Sequence, residues 1–145
     1  MNQKIRHAII GGSGVYQIDG IEVKEKLNID TPFGKPSDEI VICEIHGENV
    51  AFLPRHAKGH KLLPTEVPSK ANIWALKSIG VENIIAISAV GSLQDQYPPK
   101  SFVIPDQIID RTKSRPNTFF GDGIAGHVGF AYPFCNDLRK ILYDV

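Results

Sequence analysis

Three apolar runs, each breaking into a loop of small, hydroxylic or cationic residues, constrain this chain more than any other feature. Ile9-Ile10 gives way to Gly11-Gly12-Ser13-Gly14, Val50-Ala51-Phe52-Leu53 to Pro54-Arg55-His56, and Ile84-Ile85-Ala86-Ile87 to Ser88-Ala89-Val90-Gly91-Ser92. Unbroken apolar runs of this length read as strands covered on both faces. A glycine-rich exit lets backbone amides approach an anion closely, and Ser13 adds a hydroxyl donor. Arg55 brings a planar guanidinium, whose fork matches two oxygens of one phosphate as a lysine could not, and His56 an imidazole. Three strand ends with donors of this kind are what an oxyanion pocket at one edge of an α/β sheet requires.

The first loop is not a P-loop, because it lacks the Gly-Lys-Ser/Thr ending. Nor is it a dinucleotide fingerprint, because Gln17 stands where the third glycine should be. Taken singly, such a turn is a structural βα connection; the Arg-His pair from another strand end is what adds chemistry. The 145 residues suffice for one core, and 42% hydrophobic with 22% charged residues excludes a disordered chain. Lysine plus arginine and aspartate plus glutamate both total 16, so the basic excess of a nucleic-acid binder is missing. The short charge clusters at residues 22–26 and 58–61 read as solvated loops. Cys43 and Cys135 offer neither metal spacing nor a disulfide framework. No apolar stretch approaches the roughly 18 residues of a membrane span, and no secretory h-region precedes Ile9. The expectation is a cytoplasmic, reduced protein with no membrane or nucleic-acid partner.

Along the chain, residues 7–10 read as a first strand. Residues 39–45 and 49–53 form a hairpin about His46-Gly47-Glu48. Residues 31–37, with two prolines and a glycine, form a loop. Ser69 is the expected N-cap of a largely buried helix over 70–79, with Gly80 as its left-handed C-cap. Residues 83–88 read as a central parallel strand, residues 102–104 as another, and Asp137 opens a last helix capped by Asn136. The fold class is α/β, a mixed central sheet flanked by helices on both faces.

Other chemistry-bearing residues have plainer readings beside them. His56 and His60 stand four apart, as zinc ligands on a helix would, but Pro54, Gly59 and Pro64 make this a loop, so no metal is expected. Asp106 and Asp110 have the spacing of an acid–base pair for glycosidic cleavage. Pro105 starts a turn there, and Asp110-Arg111 reads as a structural ion pair. Ser13, Ser88 and Ser92 read equally as turn hydroxyls, with no acid–histidine arrangement to make one a nucleophile.

Several segments together resemble 5'-methylthioadenosine phosphorylases, the trimeric branch of the purine nucleoside phosphorylases. They are Ile9 to Tyr16, Thr31-Pro32-Phe33-Gly34-Lys35-Pro36-Ser37-Asp38, Ala71-Asn72-Ile73-Trp74-Ala75-Leu76-Lys77, Ser88-Ala89-Val90-Gly91-Ser92-Leu93, Asp106 to Thr112 and Pro133-Phe134-Cys135. They follow the family's order over essentially the whole chain. The departures are Ala57, where the family usually has glycine, and Pro68-Ser69, where many members have Asn-Tyr. The resemblance implies that residues 1–145 are the N-terminal part of a single phosphorylase domain, incomplete at the C-terminus. It also implies phosphorolysis of 5'-methylthioadenosine to adenine and 5-methylthioribose 1-phosphate, with inorganic phosphate as co-substrate and no cofactor or metal. Ser13, Arg55, His56, Ser88 and Ala89 would bind phosphate, and His127 would line the 5'-pocket of a neighbouring subunit in a homotrimer. Groups for the ribose, the base and the acid assisting its departure are expected beyond Val145, in a continuous or a separate C-terminal piece, so the isolated chain is expected to be inactive. A 6-oxopurine or methylthioinosine phosphorylase, a nucleoside hydrolase and a non-catalytic remnant remain open alternatives.

Overall fold

The computed structural model describes residues 4–12 and 21–145; Ser13 and Gly14, assigned from sequence to the first anion loop, lie outside the described residues. The chain forms two compact units, Met1–Ala89 and Val90–Val145. In the first, β1 (His7–Gly11), β2 (Glu22–Leu27), β3 (Ile40–Ile45), β4 (Glu48–Pro54) and β5 (Asn83–Ala86) form one sheet in the order β2-β3-β4-β1-β5, with α1 (Ser69–Ser78) between β4 and β5 in sequence. β1 runs parallel to both β4 and β5, whereas β2, β3 and β4 pair antiparallel. The sheet is therefore mixed, as expected.

Alternation along the strands gives the sheet two apolar faces. Ala8, Ile40, Ile42, Ala51 and Leu53 cluster with Ala75 and Leu76 of α1 and with Val81. Val41, Cys43 and Phe52 cluster with Ile9, Ile45 and Val50. Phe52, Ile40, Leu53 and Leu76 are fully buried, and each such side chain contributes about 1.5–3 kcal/mol relative to exposure.

The β3–β4 connection turns at His46 and Gly47, with φ of 49° and 82°. Positive φ at both central residues is the type I′ geometry whose twist suits a two-residue hairpin. Gly80, at φ 97°, ends α1 as expected. Its amide donates to the Lys77 carbonyl at 3.0 Å and the Val81 amide to the Leu76 carbonyl at 3.1 Å. These two bonds make a Schellman motif, and Val81 and Leu76 share the core beneath it.

Several sequence expectations are corrected. Residues 22–26 are not a loop but most of β2, an almost wholly exposed strand whose Lys24 pairs with Glu44 of β3. Charge suits an edge strand, where it discourages pairing with another chain. Ser69 does not cap α1: the helix starts at Ser69, and the Asn72 amide donates to the Pro68 carbonyl at 2.9 Å. That helix is not buried all round, since Ala71, Asn72, Ala75 and Leu76 are buried while Ile73 is 38% exposed. Apolar side chains around a helix are buried only where an element packs against them, and the sheet covers one face. β5 stops at Ala86 and lies at the edge of the sheet rather than its centre, because its ladder is with β1.

In the second unit, residues 102–104 form no strand, and Phe102 is 98% exposed; an apolar run becomes a strand only where a neighbour supplies ladder bonds. The helix α2 (Asn136–Asp144) starts one residue before its expected start, with Cys135 at the cap. The Asn136 carboxamide oxygen accepts from Arg139 Nη1 at 3.2 Å instead of capping a backbone amide. No residue of α2 is buried, and Ile141 and Leu142 are 59% and 40% exposed. Of the helices expected on both sheet faces, α1 alone is described within the unit that holds the sheet.

The amino end of this sheet carries an acid-sensitive tie. Glu82 takes 2.6 and 2.8 Å ion pairs from Lys4 and Arg6, while its amide donates to the Arg6 carbonyl at 2.9 Å. The hydrogen bonds from Lys4 and then Arg6 lower its carboxyl from an ordinary 4.5 to about 2. A lowered carboxyl stabilises the fold above its unfolded value and loses that contribution as pH falls through the folded one. Glu82→Gln should therefore lower the denaturant midpoint at pH 7, with the difference from wild type shrinking between pH 4.5 and 2. A difference that is constant with pH over that interval would remove the ion pairs from the fold's stability.

Candidate functional site

The chain leaves β1, builds β4 against one side of it, and returns through α1 to place β5 on the other side. That reversal brings together the carboxyl ends of three parallel strands, the usual ligand position in open α/β sheets. The strand ends are tied to one another. The Arg55 amide donates to the Gly11 carbonyl at 3.0 Å, and the Ile87 amide to the Ile10 carbonyl at 2.8 Å. Arg55 Nη1 then donates to the Ile87 carbonyl at 2.6 Å, so the guanidinium bridges from the end of β4 to the end of β5. Ser88 and Ala89 follow directly and are exposed. Arg55, His56, Ser88 and Ala89 are thus brought to one sheet edge.

His56 is buried, 8% exposed. Its Nδ1 lies 2.9 Å from the Leu62 carbonyl, which only accepts, so Nδ1 carries the proton. Nε2 then accepts from Arg55 Nε at 3.2 Å. The loop beyond closes on itself: the Lys61 and Leu62 amides both donate to the His56 carbonyl, at 2.9 and 3.2 Å. It is a strained knot, with Ala57, Gly59 and His60 at φ 60°, 82° and 55°. A β-carbon in this region costs about 1–2 kcal/mol, which Ala57 and His60 bear and Gly59 avoids. The His56 and His60 rings stack with centroids 4.5 Å apart. Both His56 nitrogens already have protein partners, and among the described residues no three His, Cys, Asp or Glu side chains are grouped to hold a metal ion.

Sequence reasoning missed the groups that anchor this loop. Asp38 accepts the Lys58 amide at 2.5 Å through Oδ2 and the Glu39 amide at 2.8 Å through Oδ1. Ser37 donates its hydroxyl to the Pro54 carbonyl at 2.7 Å, and its amide donates to Asn72 Oδ1 at 2.8 Å. Asn72 is the buried polar residue of α1, so helix, loop and the end of β4 are joined through one serine. The available signal was a polar residue on the apolar face of a helix.

Asp106, Asp110, Ser92 and His127 belong to the second unit. Asp106 and Asp110 are not helical, so their spacing does not align them. Asp110 accepts from the amide and hydroxyl of Thr112, at 2.9 and 2.7 Å, and these hold its carboxyl below the ordinary value. This corrects the expected Asp110–Arg111 pair: an Asx turn satisfies the carboxylate locally. Ser92 is a turn hydroxyl, bonded to the Gln94 carbonyl and amide. His127 is an exposed loop residue of the second unit. Cys43 is free and buried, which raises its thiol, and Cys135 is free and exposed.

Residues 6–145 match the Phosphorylase superfamily. S-methyl-5'-thioadenosine phosphorylase of Gloeobacter violaceus is 53% identical over 136 residues, covering 94% of this chain and 46% of that protein. The enzyme of the same name from Hyperthermus butylicus is 53% identical over 133 residues, covering 92% and 48%. Among solved structures, a methylthioadenosine phosphorylase from an Antarctic soil metagenomic library superposes with a TM-score of 0.91 at 52% identity, over 97% of this chain and 49% of that one. The Schistosoma mansoni methylthioadenosine phosphorylase in complex with adenine does so with a TM-score of 0.89 at 41% identity, over 97% and 53%. The chain spans about half the length of the relatives it matches.

Asn72→Ala should cost about 1–3 kcal/mol, since it leaves the buried Ser37 amide without its acceptor. Chemical denaturation of the variant and wild type measures this directly. A change below about 0.5 kcal/mol, the size of an ordinary surface substitution, would show that this bond does not hold the loop.

Proposed function

The chain belongs to the phosphorylase superfamily, and from that premise we propose that it supplies the phosphate-holding part of a 5'-methylthioadenosine phosphorylase, as the N-terminal part of a single domain. The observation that carries the reading is the Arg55 guanidinium, bonded to the Ile87 carbonyl across the carboxyl end of β1. A guanidinium has five N–H donors, of which the contacts to Ile87 and His56 engage two. With the hydroxyl of Ser88, the amide of Ala89 and the donors of Ser13, it suits a phosphate dianion. The names of the relatives support the choice of nucleoside.

The proposed reaction needs no covalent enzyme intermediate, cofactor or metal. An oxygen of inorganic phosphate bonds to C1' of the ribose as the glycosidic bond breaks, and the bond's electron pair leaves with the adenine, which takes up a proton. The products are adenine and 5-methylthioribose 1-phosphate. The protein's task is to hold the dianion beneath the sugar and to stabilise charge in an oxocarbenium-like transition state. Phosphate dependence separates this from a hydrolase, which turns over without it.

A homotrimer in the cytoplasm, with His127 reaching a neighbour's 5'-pocket, belongs to the same proposal. A stable monomer of the active protein in analytical ultracentrifugation would remove that part.

Two outcomes test the central proposal. Arg55→Ala should weaken phosphate binding by roughly 1.5–3 kcal/mol, the worth of a charge-assisted bond, in a phosphate titration by calorimetry; equal affinities would take Arg55 out of the site. The 145-residue chain alone should release no adenine from methylthioadenosine and phosphate. Its relatives are about twice as long, and the barrier falls only when nucleophile, sugar and leaving base are held together. Phosphate-dependent adenine from material whose mass matches this chain would sink the half-site reading.

A further inference from the structure

His60 has no part in the phosphate reading, yet its geometry is costly. It sits left-handed at φ 55°, directly after Gly59 at 82°. In that region a β-carbon is penalised by about 1–2 kcal/mol, which a glycine avoids. Backbone held in this way points to a function elsewhere in the contact. The ring so displayed lies over His56, with centroids 4.5 Å apart and planes inclined by 23°.

His56 meets the protein through its edges, Nδ1 to the Leu62 carbonyl and Nε2 to Arg55 Nε. Edge contacts fix the direction of the ring nitrogens; a stacked neighbour fixes the tilt of the ring plane. Tilting His56 would carry Nε2 away from Arg55 Nε, and Arg55 is the group that spans to the Ile87 carbonyl. The contacts form one sequence from His60 to His56 to Arg55 to Ile87.

We infer that His60 is a positioning residue: its ring, stacked on His56, holds the imidazole plane and thereby orients the Arg55 guanidinium toward a phosphate-like dianion. The inference rests on Arg55 being a phosphate ligand.

The test uses two variants of the whole chain, inorganic phosphate as the probe, and nitrogen NMR of the histidine rings. His60→Gly removes the ring and also relieves the backbone. Its denaturation midpoint should therefore equal or exceed that of wild type, while phosphate affinity falls about three- to tenfold, the range of an aromatic stack. A purely structural residue would lower stability and affinity together. His60→Phe keeps a flat ring and should restore affinity to within about twofold. His56 should be the Nδ1–H tautomer in wild type and His60→Phe, and a mixture of tautomers in His60→Gly. Wild-type phosphate affinity in His60→Gly overturns the role, as does a His60→Phe protein of wild-type midpoint that binds no better than His60→Gly. If wild type and Arg55→Ala bind phosphate alike, the phosphate reading itself has failed. The tautomer then decides: an unchanged His56 in His60→Gly overturns the positioning, and a mixture upholds it.

Discussion

Parallel pairing of β1 with two strands at once is the constraint on which the rest of this structure depends. Ala8 stands opposite Ala51 of β4 and Ile84 of β5, and the register holds to Ile10, opposite Leu53 and Ala86. Three chain segments far apart in sequence therefore end level with one another. The ladder runs on past the strands, through the Arg55 amide to Gly11 and the Ile87 amide to Ile10. Arg55 reaches the Ile87 carbonyl because that register ends β4 and β5 level with one another. A shift of one residue in either pairing would turn every side chain of the shifted strand to the opposite face. A slip of β4 would take Ala51 and Leu53 out of the cluster under α1, and a slip of β1 would take Ala8. Core packing and site geometry are thus one constraint seen at two places.

How much of this was legible in the sequence follows from where side chains are buried. β1, the β3–β4 hairpin and α1 announce themselves through apolar runs and through glycines at positions that need positive φ, Gly47 and Gly80. The convergence of Arg55 with the Ser88 turn was also legible, because parallel strands buried on both faces leave their exits as the places for polar chemistry. β2 was not. Glu-Val-Lys-Glu-Lys-Leu has a solvated strand's composition, and its pairing with β3 is set by backbone bonds and the Lys24–Glu44 pair rather than by apolar burial. Residues 102–104 fail in the opposite sense, apolar but without a ladder partner in their unit. Ser69 and Asn136 are good capping residues that stand one position too late to cap.

The loop after β4 was the least legible part. Its charge pattern suggests a solvated segment, and the spacing of its two histidines says nothing of their stacking. What organises it is a set of local bonds that no periodicity reports: two amides on the His56 carbonyl, Asp38 on the Lys58 amide, and three left-handed residues in four positions. The tautomer of His56 follows from the Leu62 carbonyl, a partner six residues away. Strain and specific hydrogen bonding gather here while β1, β4 and β5 behind keep unbroken register, the distribution expected where a rigid scaffold presents a ligand-binding loop.

The central claim is that the level ends of β4, β1 and β5 form one phosphate-binding edge. Backbone amide NMR of the isotope-labelled chain, titrated with inorganic phosphate at constant ionic strength, tests it most directly. The account expects saturable shifts concentrated on the amides of Gly12, Arg55, His56, Ser88 and Ala89, with one dissociation constant for all of them. Shifts that do not saturate, or that fall on the β2 edge of the sheet while these amides stay still, would contradict it.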